Sequence, residues 1–258
     1  MTTNFLPILE KSLNTEPVFI AGPCSAESLD QVLITARQLK AVGVKIFRAG
    51  VWKPRTRPGG FEGHGNKALE WMKIVRQETG MLTATEIGCA AHAEAAVKAG
   101  IDIIWIGART TASPFAVQEI ADSLCGYDIP VLIKNPSCVD IDLWIGAVER
   151  LYNRGLRRLA AIHRGFKIPE LNDFRNAPLW DKVQIFRKTV PNLPILCDPS
   201  HMGGSRNKIS AISDEAFERC YDGLIIESHH NPDTALTDSF QQICPDQIAP
   251  IMKKWTQK

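Results

Sequence analysis

Eight short apolar runs, separated by amphipathic stretches, constrain this chain's fold more than any other feature of its sequence. The runs are PVFIAG (17–22), VKIFRAG (44–50), MLTATEI (81–87), IDIIWIGA (101–108), IPVLIKNP (129–136), RRLAAIHRG (157–165), PILCDPSH (194–201) and GLIIESH (223–229). Most are continuous rather than alternating, the pattern of strands covered on both faces. Between them, ESLDQVLITARQLKAVG (27–43) sets Leu29, Val32, Leu33, Ala36 and Leu39 on one helical face. Further helical patterns cover 91–99, 114–125, 140–154 and 178–189, and Gly43, Gly100 and Gly155 stand where helices stop before the next strand. Strand and helix alternating eight times predict an α/β chain closed into a (β/α)8 barrel, with a doubly wound sheet as the competing topology.

No linker or shift of composition divides the 258 residues, which predicts one domain over 1–258. Residues 1–16 read as a short arm or lid over the barrel bottom, and 245–258 as a C-terminal tail. Hydrophobic residues make up 45% of the chain and charged residues 22%, enough to bury a sizeable core. A formal charge of +2 gives no bulk electrostatic case for nucleic acid or an anionic membrane. No apolar stretch reaches bilayer-spanning length and no secretory signal is visible. Seven cysteines, an odd number without a CxxC pair, fit a reduced cytoplasmic setting better than a disulfide framework.

In a (β/α)8 barrel the active site gathers at the C-terminal strand ends. Two sets of residues fall there. The cations are Arg48, Lys53, Arg55, Arg109, Lys134 and Arg164. Arginine's planar fork suits phosphate and carboxylate, so six cations at one mouth predict more than one anionic group, such as two phosphates and a carboxylate. Glycines 59, 60, 63 and 65 make the loop after Lys53 pliable. The second set is Cys24, His201, Glu227 and Asp238, from strands 1, 7 and 8 and the loop after strand 8. A thiolate, an imidazole and two carboxylates suit one divalent transition metal (Mn, Fe, Co or Zn) and are too soft for a dedicated Mg or Ca site. His229 and His230 are rival ligands by spacing alone. Ser25 and Glu27 are placed to start the helix after strand 1.

The motifs GPCSAES, RAGVWKPRTRPGGFEGHG, TATEIG, IGART, IKNP, HRGF, DPSHMGGSR and IIESHHNPDTALTD occur in order across nearly the whole chain. Together they resemble the 3-deoxy-D-arabino-heptulosonate-7-phosphate (DAHP) synthases, specifically the compact microbial branch related to 3-deoxy-octulosonate-8-phosphate synthases. The resemblance implies a transferase that condenses phosphoenolpyruvate with erythrose 4-phosphate, the first step of the shikimate pathway. It implies Cys24, His201, Glu227 and Asp238 as metal ligands, which decides against His229 and His230. Phosphoenolpyruvate would be held by Arg109, Lys134 and Arg164 with Arg48 and Lys53. Erythrose 4-phosphate would be held by Lys53, Pro54, Arg55, Thr56 and Arg206. Lys53 is implied as proton donor to the new alkoxide, and Glu86, His201 and a metal-bound water are the candidates to activate the attacking water. The octulosonate synthases usually carry Lys-Ala-Asn-Arg where this chain has KPRT, which favours the four-carbon aldehyde over arabinose 5-phosphate.

The family further implies a homodimer or homotetramer. Many members add a regulatory extension or a fused chorismate mutase domain. The chain as given has room for neither, so feedback control within it is not expected, and IMKKWTQK would lead into such a partner domain in a longer product. The rival activities are an octulosonate synthase, a metal-independent aldolase with a Schiff base on Lys134, and a phosphate-binding barrel without turnover.

Overall fold

The computed structural model describes residues 4–9, 17–169 and 173–257. Eight parallel strands close into a barrel in sequence order, each hydrogen-bonded to its neighbours and the last to the first. They are β1 (Val18–Gly22), β2 (Ile46–Arg48), β3 (Leu82–Ile87), β4 (Ile103–Ile106), β5 (Val131–Lys134), β6 (Leu159–His163), β7 (Ile195–Cys197) and β8 (Gly223–Glu227). The predicted (β/α)8 barrel is therefore the fold, and the doubly wound alternative is excluded by the pairing of β1 with β8 from Val18↔Gly223 to Gly22↔Glu227.

Alternate strand residues divide the core in two. Ile20, Ile46, Ala84, Trp105, Leu132 and Ile225 fill the barrel interior. Phe19, Phe47, Ile104, Ile133 and Ile226 face outward under the helices. The continuous apolar runs follow from this, because both faces of each strand are dry.

The helices are α1 (Leu29–Ala41), α2 (Asn66–Thr79), α3 (Ala90–Lys98), α4 (Ala108–Thr111), α5 (Pro114–Ser123), α6 (Ile141–Asn153), α7 (Trp180–Thr189), α8 (Pro199–Gly203), α9 (Ile209–Glu218) and α10 (Ile248–Trp255). Gly43, Gly100 and Gly155 follow α1, α3 and α6 with φ of 92°, 72° and 92°, the left-handed turn that ends a helix. The start of α1 corrects the sequence reading. Ser28 is the N-cap, its side chain accepting from Gln31 N, whereas Ser25 and Glu27 bond to each other and to the 236–237 loop.

Within the predicted arm, Ile8 and Leu9 are buried in the interior cluster beneath the strands, and Leu6 N donates to Arg157 O at 2.9 Å. Residues 1–3 and 10–16 lie outside the described residues. The predicted C-terminal tail is instead largely α10. Trp255 is buried there, edge-on to Phe19 with ring centroids 5.9 Å apart.

Candidate active site

Close backbone approach brings the strand ends together. Gly22 has φ of 152°, and a Cβ there would stand 2.0 Å from Arg48 O, so the β1 exit can lie against β2 only with glycine. A parallel bridge from Ser25 to Gly50 continues that contact past the strands and fixes Cys24 between them. The Cys24 backbone N–H donates to Gln242 Oε1 at 3.0 Å, tying it to the loop after β8.

Cys24, Glu227 and Asp238 have ligand atoms that all lie within 4.8 Å of one another. The Cys24 thiol donates to Asp238 Oδ2 at 3.4 Å, and Lys53 Nζ donates to Cys24 Sγ at 3.0 Å. His201 stands at the edge of this trio, its Nε2 3.9 Å from Glu227 Oε1 and its Nδ1 2.8 Å from Asp198 Oδ2. Asp198 therefore orients the imidazole with Nε2 toward the trio, as an outer-shell carboxylate does for a ligating histidine. His229 and His230 stack on each other, ring centroids 4.5 Å apart, and His230 bonds to Thr35; neither belongs to the trio.

Burial, then Glu227, pushes the Cys24 thiol up to about 12. Burial also works against ionising Asp238, but Arg175, His201 and Lys53 outweigh it and bring that carboxyl down to about 2. The thiol stays protonated here, and a divalent transition metal would displace its proton and take the thiolate as a ligand. The donor chemistry fits such an ion, with Cys24, Glu227 and Asp238 as the set and His201 adjoining.

Above the trio lies a cavity of about 310 Å³, lined by cations from Lys53, Arg55, Arg109, Lys134, Arg164 and Arg175, with Glu86, Thr56, His201 and Asp238. Lys134, the last residue of β5, pairs with buried Asp198 at 3.1 Å. Arg164 donates to Asn176 Oδ1 at 2.8 Å, and its backbone N–H to Asn135 Oδ1 at 2.7 Å. Burial lowers the Arg164 guanidinium to about 10, which leaves it cationic. Arg109 sits on α4 rather than on a strand end and reaches the Lys53–Thr56 segment, donating to Pro54 O and Thr56 Oγ1 at 3.1 Å each. Glu86 accepts from Trp105 Nε1 at 2.8 Å. Burial opposes its charge, but Lys134 and Lys53 prevail and hold it below the usual carboxylate range.

Two predicted substrate residues are elsewhere. Arg48 is buried beneath the cavity, donating to Glu227 Oε1 at 3.3 Å and lying 4.8 Å over the Trp105 ring. It is held by the trio and does not line the cavity. Arg206 lines a separate hollow beside α9 and α10, where it donates to Asp233 Oδ1 at 2.7 Å and Ser239 O at 2.8 Å. Its local charge partner accounts for its placement. Conversely, Arg175 and Asn176 of the β6–α7 loop belong to the site and were not singled out. That loop has no hydrophobic period, and only their docking on His201 and Met202 reveals them.

Residues 11–258 match the model of the DAHP synthetase I family. The chain belongs to that family. Among curated members, it is 37% identical over 225 residues to the phospho-2-dehydro-3-deoxyheptonate aldolase of Thermotoga maritima, an alignment covering 87% of this chain and 64% of that protein. The chain thus spans slightly less than two thirds of that relative's length. It is 26% identical to the 2-dehydro-3-deoxyphosphooctonate aldolase of Nitratidesulfovibrio vulgaris, over 95% of this chain and 93% of the relative. The crystal structure of the Thermotoga maritima DAHP synthase superposes with a TM-score of 0.83 at 31% identity, covering 94% of this chain and 68% of that one. A truncated form of the same organism's 3-deoxy-D-arabino-heptulosonate 7-phosphate synthase superposes with a TM-score of 0.79 at 29% identity, covering 93% and 86%.

Proposed function

We propose that this member of the DAHP synthetase I family condenses phosphoenolpyruvate with erythrose 4-phosphate to give DAHP and phosphate, the first step of the shikimate pathway. One observation carries the reading: a cavity rich in cations is lined also by His201 and by Asp238 of the Cys24–Glu227–Asp238 trio. A site built this way can hold two phosphorylated substrates against a metal-binding group.

Arg109, Lys134 and Arg164 hold the phosphate and carboxylate of phosphoenolpyruvate, their guanidinium and ammonium groups matching spread anionic charge. Lys53, Pro54, Arg55 and Thr56 receive erythrose 4-phosphate. Arg109 bonds to Pro54 O and Thr56 Oγ1, so the two sets of residues adjoin. Cys24, Glu227, Asp238 and His201 would hold a divalent ion, which when bound would supply Lewis acidity for the aldehyde or its water. C3 of phosphoenolpyruvate bonds to the aldehyde carbon, and the aldehyde oxygen takes a proton, for which Lys53 is the donor. Water adds at C2 and loses its protons, and phosphate departs with cleavage of its bond to C2. Glu86, ionised beside Lys53 and Lys134, is placed to accept a proton from that water.

KPRT and the 37% identity to the Thermotoga maritima protein favour the four-carbon aldehyde over arabinose 5-phosphate. The pairing of Lys134 with Asp198 at 3.1 Å disfavours a Schiff base, which needs a neutral amine. The reading places the enzyme in the cytoplasm as a homodimer or homotetramer. Phe115, 84% exposed at the start of α5, is apolar surface that a subunit contact would cover.

The test is phosphate release from phosphoenolpyruvate with erythrose 4-phosphate or arabinose 5-phosphate, with and without EDTA and added Mn, Fe, Co or Zn. Turnover should be faster with erythrose 4-phosphate, lost with EDTA and restored by metal. Faster turnover with arabinose 5-phosphate, or turnover indifferent to EDTA, would overturn the assignment.

A further inference from the structure

Both carboxylates of the trio divide their oxygens in the same way. Asp238 turns Oδ2 to the Cys24 thiol and gives Oδ1 to Arg175 at 3.0 Å. Glu227 turns Oε1 toward His201 and Arg48 and gives Oε2 to Gln241 Nε2, while Gln241 Oε1 accepts from the same nitrogen of Arg175. One guanidinium therefore anchors the outward oxygens of two carboxylates, directly in one case and through an amide in the other.

Arg175 is itself fastened. Its backbone N–H donates to Met202 O at 2.9 Å, and Asn176 Nδ2 donates to His201 O at 2.7 Å. Gly204 has φ of 64°, and a Cβ there would come within 2.6 Å of the Arg175 Cβ, so the loop lies flat on the end of α8. Asp238 has φ of 48°, a conformation an aspartate keeps only when its surroundings hold it.

We propose that Arg175 is a positioning residue for the metal site, setting the carboxylate of Asp238 and, through Gln241, that of Glu227 in the orientation that binds a divalent cation. A cation so near could instead repel the metal. Arg175 bonds the Asp238 oxygen turned away from Cys24, however, and its side chain is 45% exposed, so water weakens what repulsion reaches an ion among the trio while its directional hydrogen bonds persist. Positioning outweighs repulsion on that ground. The inference rests on the metal-dependent reading above but not on the identity of the substrates.

The test is a Co(II) titration of the full chain without substrates, read by the thiolate-to-cobalt charge-transfer band of Cys24. Arg175→Met should raise the Co(II) dissociation constant roughly 10–100-fold, as loss of an outer-shell partner does. Arg175→Lys, which keeps the charge without the fork, should recover little of it. Gln241→Leu should weaken binding in the same direction. Arg175→Met with the wild-type circular dichroism and Tm, binding Co(II) as tightly as wild type or more tightly, would overturn the proposal. Should Arg175→Met fail to fold, undiminished affinity in Gln241→Leu would overturn it equally. Absence of the band in the wild-type protein would remove the metal reading, and this inference with it.

Discussion

At the scale of single residues, Glu86 shows how narrowly the site is drawn. A Cβ at Gly107 would stand 2.5 Å from Glu86 Oε1, although the backbone there has an ordinary φ of −69°. Gly107→Ala should therefore push the carboxylate aside without straining the chain. The expected outcome is a loss of at least about tenfold in kcat/KM, equivalent to about 1.4 kcal/mol of transition-state stabilisation, with a Tm near that of wild type. Steady-state kinetics and a thermal melt check both halves, and unchanged kcat/KM would show that Glu86 has no part in the reaction. Residues of this kind divide by how they could be read. Cys24, Glu86, Lys134 and Glu227 were legible in the sequence because a strand end fixes where a side chain goes. Arg175 was not, since its partners lie on two other segments distant in sequence, and Arg206 instead bonds its local partner Asp233 outside the cavity.

At the scale of elements, the eight runs were legible because burial on both faces leaves an unbroken apolar signal. The sequence reading gave no bounds for α2, α4, α8, α9 and α10, the last of which is only eight residues long. His163 at the end of β6 points away from the cavity, into the layer between barrel and helices. There Tyr221 bonds its Nδ1 at 2.7 Å and Trp180 meets it edge-on. Burial drives its pKa down to about 3. The folded value lies below the unfolded one of about 6.5, so this histidine contributes its full stability above pH 6.5. The contribution falls as acid charges the unfolded imidazole, by about 1.4 kcal/mol per pH unit toward pH 3. Urea unfolding at pH 7.5 and 4.5 should show a drop in the wild type that is smaller in His163→Gln by close to one proton's linkage. Equal drops in both proteins would contradict it.

At the scale of the whole molecule, metal and fold are linked. An ion that binds the native trio and not the unfolded chain stabilises by about 2.7 kcal/mol at a hundredfold excess over its Kd. Adding Co(II) to chelator-treated protein should raise Tm, and Cys24→Ala should abolish the shift while keeping its metal-free melt. A Tm in wild-type protein that does not respond to metal would count against the site. The barrel's closure then acquires a temporal meaning. Cys24 follows the first strand and Glu227 ends the last, and the register that seals the ring sets Gly22 beside Glu227. The two donors are neighbours only once β8 has docked on β1, so a growing or partly folded chain has no complete grip on the ion. Metal capture by these donors would thus report ring closure, with the ion a clasp fastened last.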